Sequence, residues 1–317
     1  IDFFKSIEGP KQVVLEESQM ADCVTRWIEP LVHKAVRCQP QHNRLISESE
    51  NKCDRQDSHS LAELLYMDKV KAVHHPAWEY RQLREEVRAY WIASRDLTRA
   101  KNRLKAFCLY NGLHYTGDKI YAKRYQNHYE RQLKGHSANL NLLALNFEYM
   151  DFCRQRKAAH IKLMRQLARP FREELRCLQS IPGIAFIGAF TWLAYLERGW
   201  RLPNKRKLWR YCGIGIRRHN SNQVEREGAS WVGNRYLKNV LFTAVSSIAA
   251  GRTPDNALVR LWQAGVAGKV PPARLRRNFA RKIAVVAQHV LRFKEQYDDE
   301  RIVTTQCFPA GTYGPFI

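Results

Sequence analysis

What the chain lacks sets its first limits. Its longest nearly apolar run, Ile184 to Leu196, is 13 residues, well short of the roughly 20 that a membrane-spanning helix needs. A membrane partner is therefore not expected. The eight cysteines (Cys23, Cys38, Cys53, Cys108, Cys153, Cys177, Cys212 and Cys307) form no CxxC pair and no His/Cys cluster of zinc spacing. They read as reduced core or surface thiols of a cytoplasmic protein. The opening residues have neither an initiator methionine nor a secretory signal, and they read as the middle of a domain.

Acid is also scarce. Thirty Asp and Glu face 53 Lys and Arg, a formal charge of +23. Such self-repulsion is costly unless a polyanion or an acidic surface absorbs it. The stretch Arg201 to Lys238 alone holds ten basic residues against Glu225 and Glu227. Nucleic acid is the expected partner, although a merely solvated basic surface has the same composition.

The 317 residues divide by pattern into three regions, an α/β part followed by α parts. In residues 1–78, Lys11 to Leu15 (KQVVL) is strand-like, Ala21 to Glu29 an amphipathic helix stopped by Pro30, and Leu31 to Cys38 a second strand. Ser58 to Met67 reads as a helix and Val70 to Val73 as a short strand. The β–α–β–α order favours a layered α/β domain. In residues 79–177, Leu83, Val87, Tyr90, Ser94, Leu97, Lys101, Leu104 and Cys108 step by 4 and 3, and Leu140, Leu143, Phe147 and Met150 resume the spacing. Two long antiparallel helices in a coiled-coil hairpin fit, either as an arm for dimerisation or nucleic-acid bracing, or as a hairpin packed on its own domain. Residues 178–317 are expected to be all-helical, with a helix-hairpin-helix-like element at Ser180 to Ala189 (SIPGIAFIGA), and amphipathic helices at Leu237 to Ile248 and Ala280 to Phe293. In the hairpin element Pro182 and Gly183 supply a turn, and the next helix offers its amino end to an anion.

Three constellations suit chemistry. Glu16 ends the KQVVL strand, while Asp54 and Asp57 lie three apart in Lys52-Cys-Asp-Arg-Gln-Asp57, on one face if helical. Carboxylates so disposed can converge on hard divalent cations; alternatively Asp57 or Ser58 caps the next helix and Asp54 is solvated. Ser230 sits between glycines and arginines in Arg226-Glu-Gly-Ala-Ser-Trp-Val-Gly-Asn-Arg235, placed to attack a phosphate whose developing charge the arginines neutralise. No histidine adjoins it, and an N-cap or loop serine is the plainer alternative. In Trp200 to Tyr211, helical spacing turns Leu208, Trp209 and Tyr211 partly into the core and leaves the lysines and arginines facing phosphate.

Together these blocks resemble the insertion-sequence 110 family of transposases, the bridge-RNA-guided recombinases. The matching pieces are SIPGIAFIGA, LPNKRKLWRYCGI at 202–214, the spacing Gly228-x-Ser230-x-x-Gly233-Asn234-Arg235-x-Leu237, and the closing ARKIAVVAQHVLRFKEQYD at 280–298. Upstream, VVLEES at 13–18 and the K-x-D-x-x-D-S run are similar to that family's RuvC-type acidic signatures. The resemblance implies an RNase H-like (RuvC-type) domain in which Glu16, Asp54 and Asp57 are three of four metal-binding carboxylates, with Mg2+ as the metal. It implies Ser230 as the nucleophile of the C-terminal transposase domain. Gly183, Lys205, Arg206, Lys207, Arg210, Arg217, Arg218, Asn234 and Arg235 would meet nucleic acid. It further implies a structured guide RNA that selects donor and target DNA by pairing, a homodimer or tetramer, and a place in the bacterial or archaeal cytoplasm at the nucleoid.

Two positions depart from the family pattern. Trp231 follows the serine where a basic residue is usual, and the family's first aspartate, on an opening strand, has no counterpart. Only 13 residues separate Asp2 from Glu16, too few for two strands and a helix, so residues 1–8 are expected to be the end of the helix that leads into the glutamate strand and the α/β domain to lack its first strands. A site-specific DNA invertase on the same scaffold, or an inactive nucleic-acid-binding remnant, would show the same residues.

Overall fold

The structure, a computed structural model, describes residues 1–39, 54–115, 117–221, 224–229 and 232–300, with the backbone alone over 217–221 and 224–229. The chain forms two compact units, Ile1–Ala77 and Trp78–Ile317.

In the first unit a short helix α1 (Asp2–Ser6) precedes β1 (Gln12–Glu16), α2 (Ala21–Ile28), β2 (Lys34–Cys38) and α3 (Asp54–Tyr66). β1 and β2 pair in parallel, from Gln12 opposite Lys34 to Glu16 opposite Cys38. Parallel neighbours cannot be joined by a tight turn, and α2 makes the crossover. It ends in a 3-10 turn, Glu29–Leu31, at Pro30, as proline's missing N–H requires. Val70 to Val73 contributes one antiparallel bridge, Ala72 to Cys38, rather than a strand. The core is small: Cys38, Leu61 and Leu64, with Val14 and Val70 against them. Arg37 is buried beside it, and its Nη1 donates to Asp22 Oδ1 at 2.6 Å. The buried guanidinium thus finds a carboxylate at the surface, and a buried charge needs such a partner.

The second unit is a helical hairpin continued into a helical core. α4 (Trp78–Tyr110) and α6 (Ser137–Leu167) are its arms, with short α5 (Gln126–Gln132) in the connection. At 1.5 Å per residue, α4 runs roughly 50 Å. The seam passes through Leu83, Val87 and Tyr90 as the spacing predicts, but it then buries Ala93 and Ala100 rather than Ser94 and Lys101. The small alanines lie one position earlier, and the polar pair is left at the margin.

The hairpin is not a separate arm at its base. Leu83, Val87, Tyr90 and Met164 belong to the same core as the C-terminal helices, whereas Leu104, Leu143, Phe147 and Met150 form a second, distal cluster. Beside the first of these, His160 Nδ1 lies 2.8 Å from buried Glu86.

The core itself is built on α8 (Phe186–Leu196), preceded by α7 (Arg172–Gln179). Every residue from Ala189 to Leu196 is buried, which is where a helix apolar all round must lie. Its last carbonyls need donors. Arg84 Nε donates to Ala194 O at 2.8 Å and Arg201 Nη1 to Tyr195 O at 2.9 Å, while Arg84 Nη2 also reaches Glu197 Oε1 at 2.8 Å. The hairpin thereby supplies the carboxyl-end cap of the central helix.

Around α8 stand α9 (Lys205–Tyr211), α10 (Arg235–Ala249), α11 (Ala257–Ala267) and α12 (Pro272–Phe293). Between α9 and α10 an antiparallel hairpin intervenes, β3 (Ile216–Ser221) with β4 (Val224–Ala229). The C-terminal region is therefore not all-helical, as the sequence had been read. The sequence of residues 216–229 has no apolar spacing of helical period, and the backbone register sets Arg218 opposite Glu227. No helix among the described residues is long and apolar enough to cross a membrane.

Candidate nucleic-acid interface

The turn Ser180 to Ala185 joins α7 to α8, as a helix-hairpin-helix-like element requires. Gly183 has φ +83, and a Cβ there would come 2.7 Å from Ala244 O of α10. Glycine is thus needed for the close approach of α10, while the turn also lines an open cleft of about 660 Å³. Ser180 is equally engaged, since its Oγ donates to Cys177 O at 2.6 Å and accepts from Tyr297 N at 2.7 Å.

α9 carries the densest charge. Asn204 caps it, accepting from Lys207 N at 3.0 Å, and Leu208 turns fully into the core. Trp209 and Tyr211 pack half-buried against that core, the division the spacing predicts. Arg206, Lys207 and Arg210 are exposed, and Lys205 is half-buried. Arg206, Lys207 and Arg210 make no ion pair with a described residue, so their charge is available to a polyanion.

The carboxyl end of α9 is sutured to the amino end of α10. Asn234 N donates to Tyr211 O at 2.7 Å. Gly233 lies so close to Gly213 that a Cβ on it would stand 2.4 Å from both Gly213 Cα and Gly213 N. Asn234 then caps α10, its Oδ1 accepting from Tyr236 N at 2.9 Å and Leu237 N at 3.1 Å. Its Oδ1 thus serves as an N-cap, for which Asn is among the best residues. Arg235 is exposed and leans on its neighbour, Nη2 donating to Tyr236 OH at 3.0 Å. Gly213 was missed in the sequence; a Gly-x-Gly run after a basic helix is the signal that pointed to it.

Ser230 and Trp231 lie outside the described residues, in the connection between Ala229, which ends β4, and the Asn234 cap. The alternative in which Ser230 caps the following helix is excluded, because Asn234 holds that position. Arg217 and Arg218 are placed on β3 by their backbone.

Of the carboxylates, Glu16 ends β1 and is exposed, and Asp54 and Asp57 both fall in the first turn of α3. The helix starts at Asp54, so neither Asp57 nor Ser58 is its cap; Ser58 Oγ instead bonds back to Asp54 O at 2.6 Å. Three hard oxygen donors are the right chemistry for a cation such as Mg2+. Their placement does not fit one: among the described residues no group of three or more His, Cys, Asp or Glu could hold a metal ion.

Comparison with known proteins bears on the same stretch. The family described as transposase IS116/IS110/IS902 matches residues 175–259, from α7 into α11. A protein of Sinorhizobium fredii strain NGR234, named "Putative transposase y4qE", is 25% identical over 217 residues, covering 68% of this chain and 53% of the relative. The chain thus spans about half the length of the curated relative it matches. Over residues 175–259 the chain is thus similar to the transposase domain of the IS116/IS110/IS902 family.

Proposed function

We propose that this chain works on DNA as the strand-cutting and strand-joining subunit of an insertion-sequence transposase, with Ser230 as nucleophile. The observation that carries this is the match over 175–259, which spans Ser230 and the basic helix α9. Chemically, the Ser230 Oγ forms a bond to a DNA phosphorus while the P–O bond to the leaving strand breaks. The serine proton passes to solvent and the departing oxygen takes up another. A DNA hydroxyl then attacks the phosphoserine ester and releases Ser230, so bond energy is conserved and no oxidant or nucleotide is required. The cations around the connection oppose the charge that gathers on the phosphate oxygens.

The β–α–β–α order of the first unit supports an RNase H-like domain. Dependence on Mg2+ and guidance by a structured RNA are proposed from the family likeness alone. Denaturing the protein on cleaving DNA and mapping the DNA-linked peptide tests the proposal. Linkage at Ser230 is expected, and linkage at any other residue overturns it.

Self-association is part of the proposal. On α6, Leu142, Leu145, Tyr149 and Phe152 step by 3, 4 and 3 and are 49%, 59%, 42% and 52% exposed, an apolar stripe outside the hairpin's own seam. A second copy of the hairpin would cover it, as coiled-coil faces do. The double variant Leu145→Glu, Phe152→Glu should sediment as a monomer where the unmodified chain forms a dimer or larger. An unmodified chain that stays monomeric at high concentration with nucleic acid present would sink this.

A further inference from the structure

A second basic surface lies outside the Arg201–Lys238 cluster. Lys162, Arg165, Arg169, Arg172 and Arg176 recur at intervals of 3, 4, 3 and 4. The interval persists from the end of α6, through the 3-10 turn Arg169–Phe171, into α7. All five side chains are exposed, and all five line one open groove of about 890 Å³ whose lining holds no Asp or Glu. None makes an ion pair with a described residue, although each is surrounded by a chain that has carboxylates to offer.

The nearest carboxylates are turned elsewhere. Glu173 and Glu174 lie in the first turn of α7, among the arginines in sequence, yet both bind Lys294 at 2.9 Å. Hydrogen bonds to these two carboxylates hold the Lys294 ammonium well above its usual range. The acids of α7 are thus drawn to Lys294, the residue after α12, and the cations of the same helix face the open groove. Along the groove, residues 162 to 176 cover about 20 Å at the helical rise, a cation roughly every 5 Å. Five cations along one groove suit an extended polyanion rather than a compact phosphate or a single carboxylate. The groove also shares Gln179 and Ser180 with a second open cleft, of about 660 Å³, that runs along the Ser180–Ala185 turn and includes Arg252.

We propose that this groove is a track for a nucleic-acid phosphodiester backbone, with Lys162, Arg165, Arg169, Arg172 and Arg176 as its phosphate contacts. It rests on the reading of the chain as a recombinase acting on nucleic acid, and it adds a binding surface on the α6–α7 junction. Because the contacts are to phosphate, the groove reads no base sequence. It fixes the path of a strand as that strand passes toward the α7–α8 turn.

The test uses the full chain and the triple variant Arg165→Gln, Arg169→Gln, Arg172→Gln. Affinity for labelled duplex DNA, for single-stranded DNA and for an RNA hairpin is measured by anisotropy over a range of salt. Each lost phosphate contact should lower the slope of log affinity against log salt by about 0.9 on duplex and about 0.7 on single strands. The triple variant should therefore fall by about 2 to 3, and Arg172→Gln alone by about 1. The probe on which the loss is largest identifies the occupant as DNA or RNA. A control that neutralises the same charge on α12, Arg274→Gln, Arg276→Gln, Arg277→Gln, should change the slope by less than about 1. Equal losses in the groove and control variants would overturn the groove, since net charge alone would then account for binding. So would a groove-dependent affinity for phosphatidylserine vesicles with none for nucleic acid. If the unmodified chain binds no nucleic acid, the recombinase reading itself fails. If it binds and the triple variant keeps the full slope, only the groove does.

Discussion

Ser230→Ala is expected to abolish DNA strand transfer, by at least about a thousandfold, which is about 4 kcal/mol of barrier, while leaving the affinity for DNA and RNA unchanged. In the proposed chemistry the hydroxyl forms the covalent bond to phosphorus, and alanine offers no atom that can replace it. What makes the test clean is the division of labour at the start of α10. A serine just ahead of a helix is usually suspected of capping it, and its loss would then cost about 1 kcal/mol of stability. Here Asn234 accepts from Tyr236 N and Leu237 N, so the helix keeps its cap when Ser230 is gone. Melting temperature should therefore match the unmodified chain. Strand transfer that survives the substitution would remove Ser230 from the chemistry. A lowered melting temperature together with weakened DNA binding would show that the serine had been holding the fold.

Much of this architecture was legible because its elements are governed by local rules. KQVVL followed by an amphipathic segment and Pro30 could hardly be other than strand, helix and stop, and β1, α2 and the Glu29–Leu31 turn follow that order. Leu83, Val87 and Tyr90 fell on the seam because apolar spacing alone decides it there. Where the seam passes polar residues the spacing misleads, and Ala93 and Ala100 take the place of Ser94 and Lys101. The β3–β4 hairpin was missed because its sequence is rich in charge and has no alternating apolar pattern; only its cross-strand register reveals the pairing.

The candidate site residues carry a second constraint that their neighbours in the chain do not show. Gly183 stands in a turn ahead of a helix and Asn234 beside Arg235, settings that suggest phosphate, yet each also answers to a structural contact. Gly183 gives way to Ala244, 61 residues further on, and Asn234 serves the amides of its own helix while its N–H reaches back to Tyr211. Sequence shows that a residue is constrained by its neighbours in the chain; it does not show which surface imposes the constraint. The five cations from Lys162 to Arg176 show the converse. They straddle two helices and a 3-10 turn, so they read as ordinary solvated residues until the groove collects them on one wall.

Gly233→Ala is expected to destabilise the second unit by about 3 kcal/mol, at the upper end for an overpacked site, and to abolish strand transfer with it. Two separate effects combine. The backbone has φ +153, in a region that L side chains rarely adopt, and a Cβ would stand 2.4 Å from Gly213 Cα and N and 2.9 Å from Arg210 O. All three atoms are backbone, at the end of α9, so no side chain can swing aside to make room. Relief requires α9 and α10 to separate, which breaks the Asn234 N to Tyr211 O bond at 2.7 Å and moves the connection that carries Ser230. For a unit of this size each kcal/mol lowers the melting temperature by about 2–4 °C, so a fall of roughly 6–12 °C is expected. Gly251→Ala separates the two effects, since Gly251 also has a positive φ, +64, but nothing lies within 4 Å of the added Cβ. That variant should lose only the conformational part, about 1–2 kcal/mol, and should keep its activity. If the two variants melt together, the close approach of Gly213 and Gly233 contributes nothing, and the suture between α9 and α10 is not what holds the Ser230 connection in place.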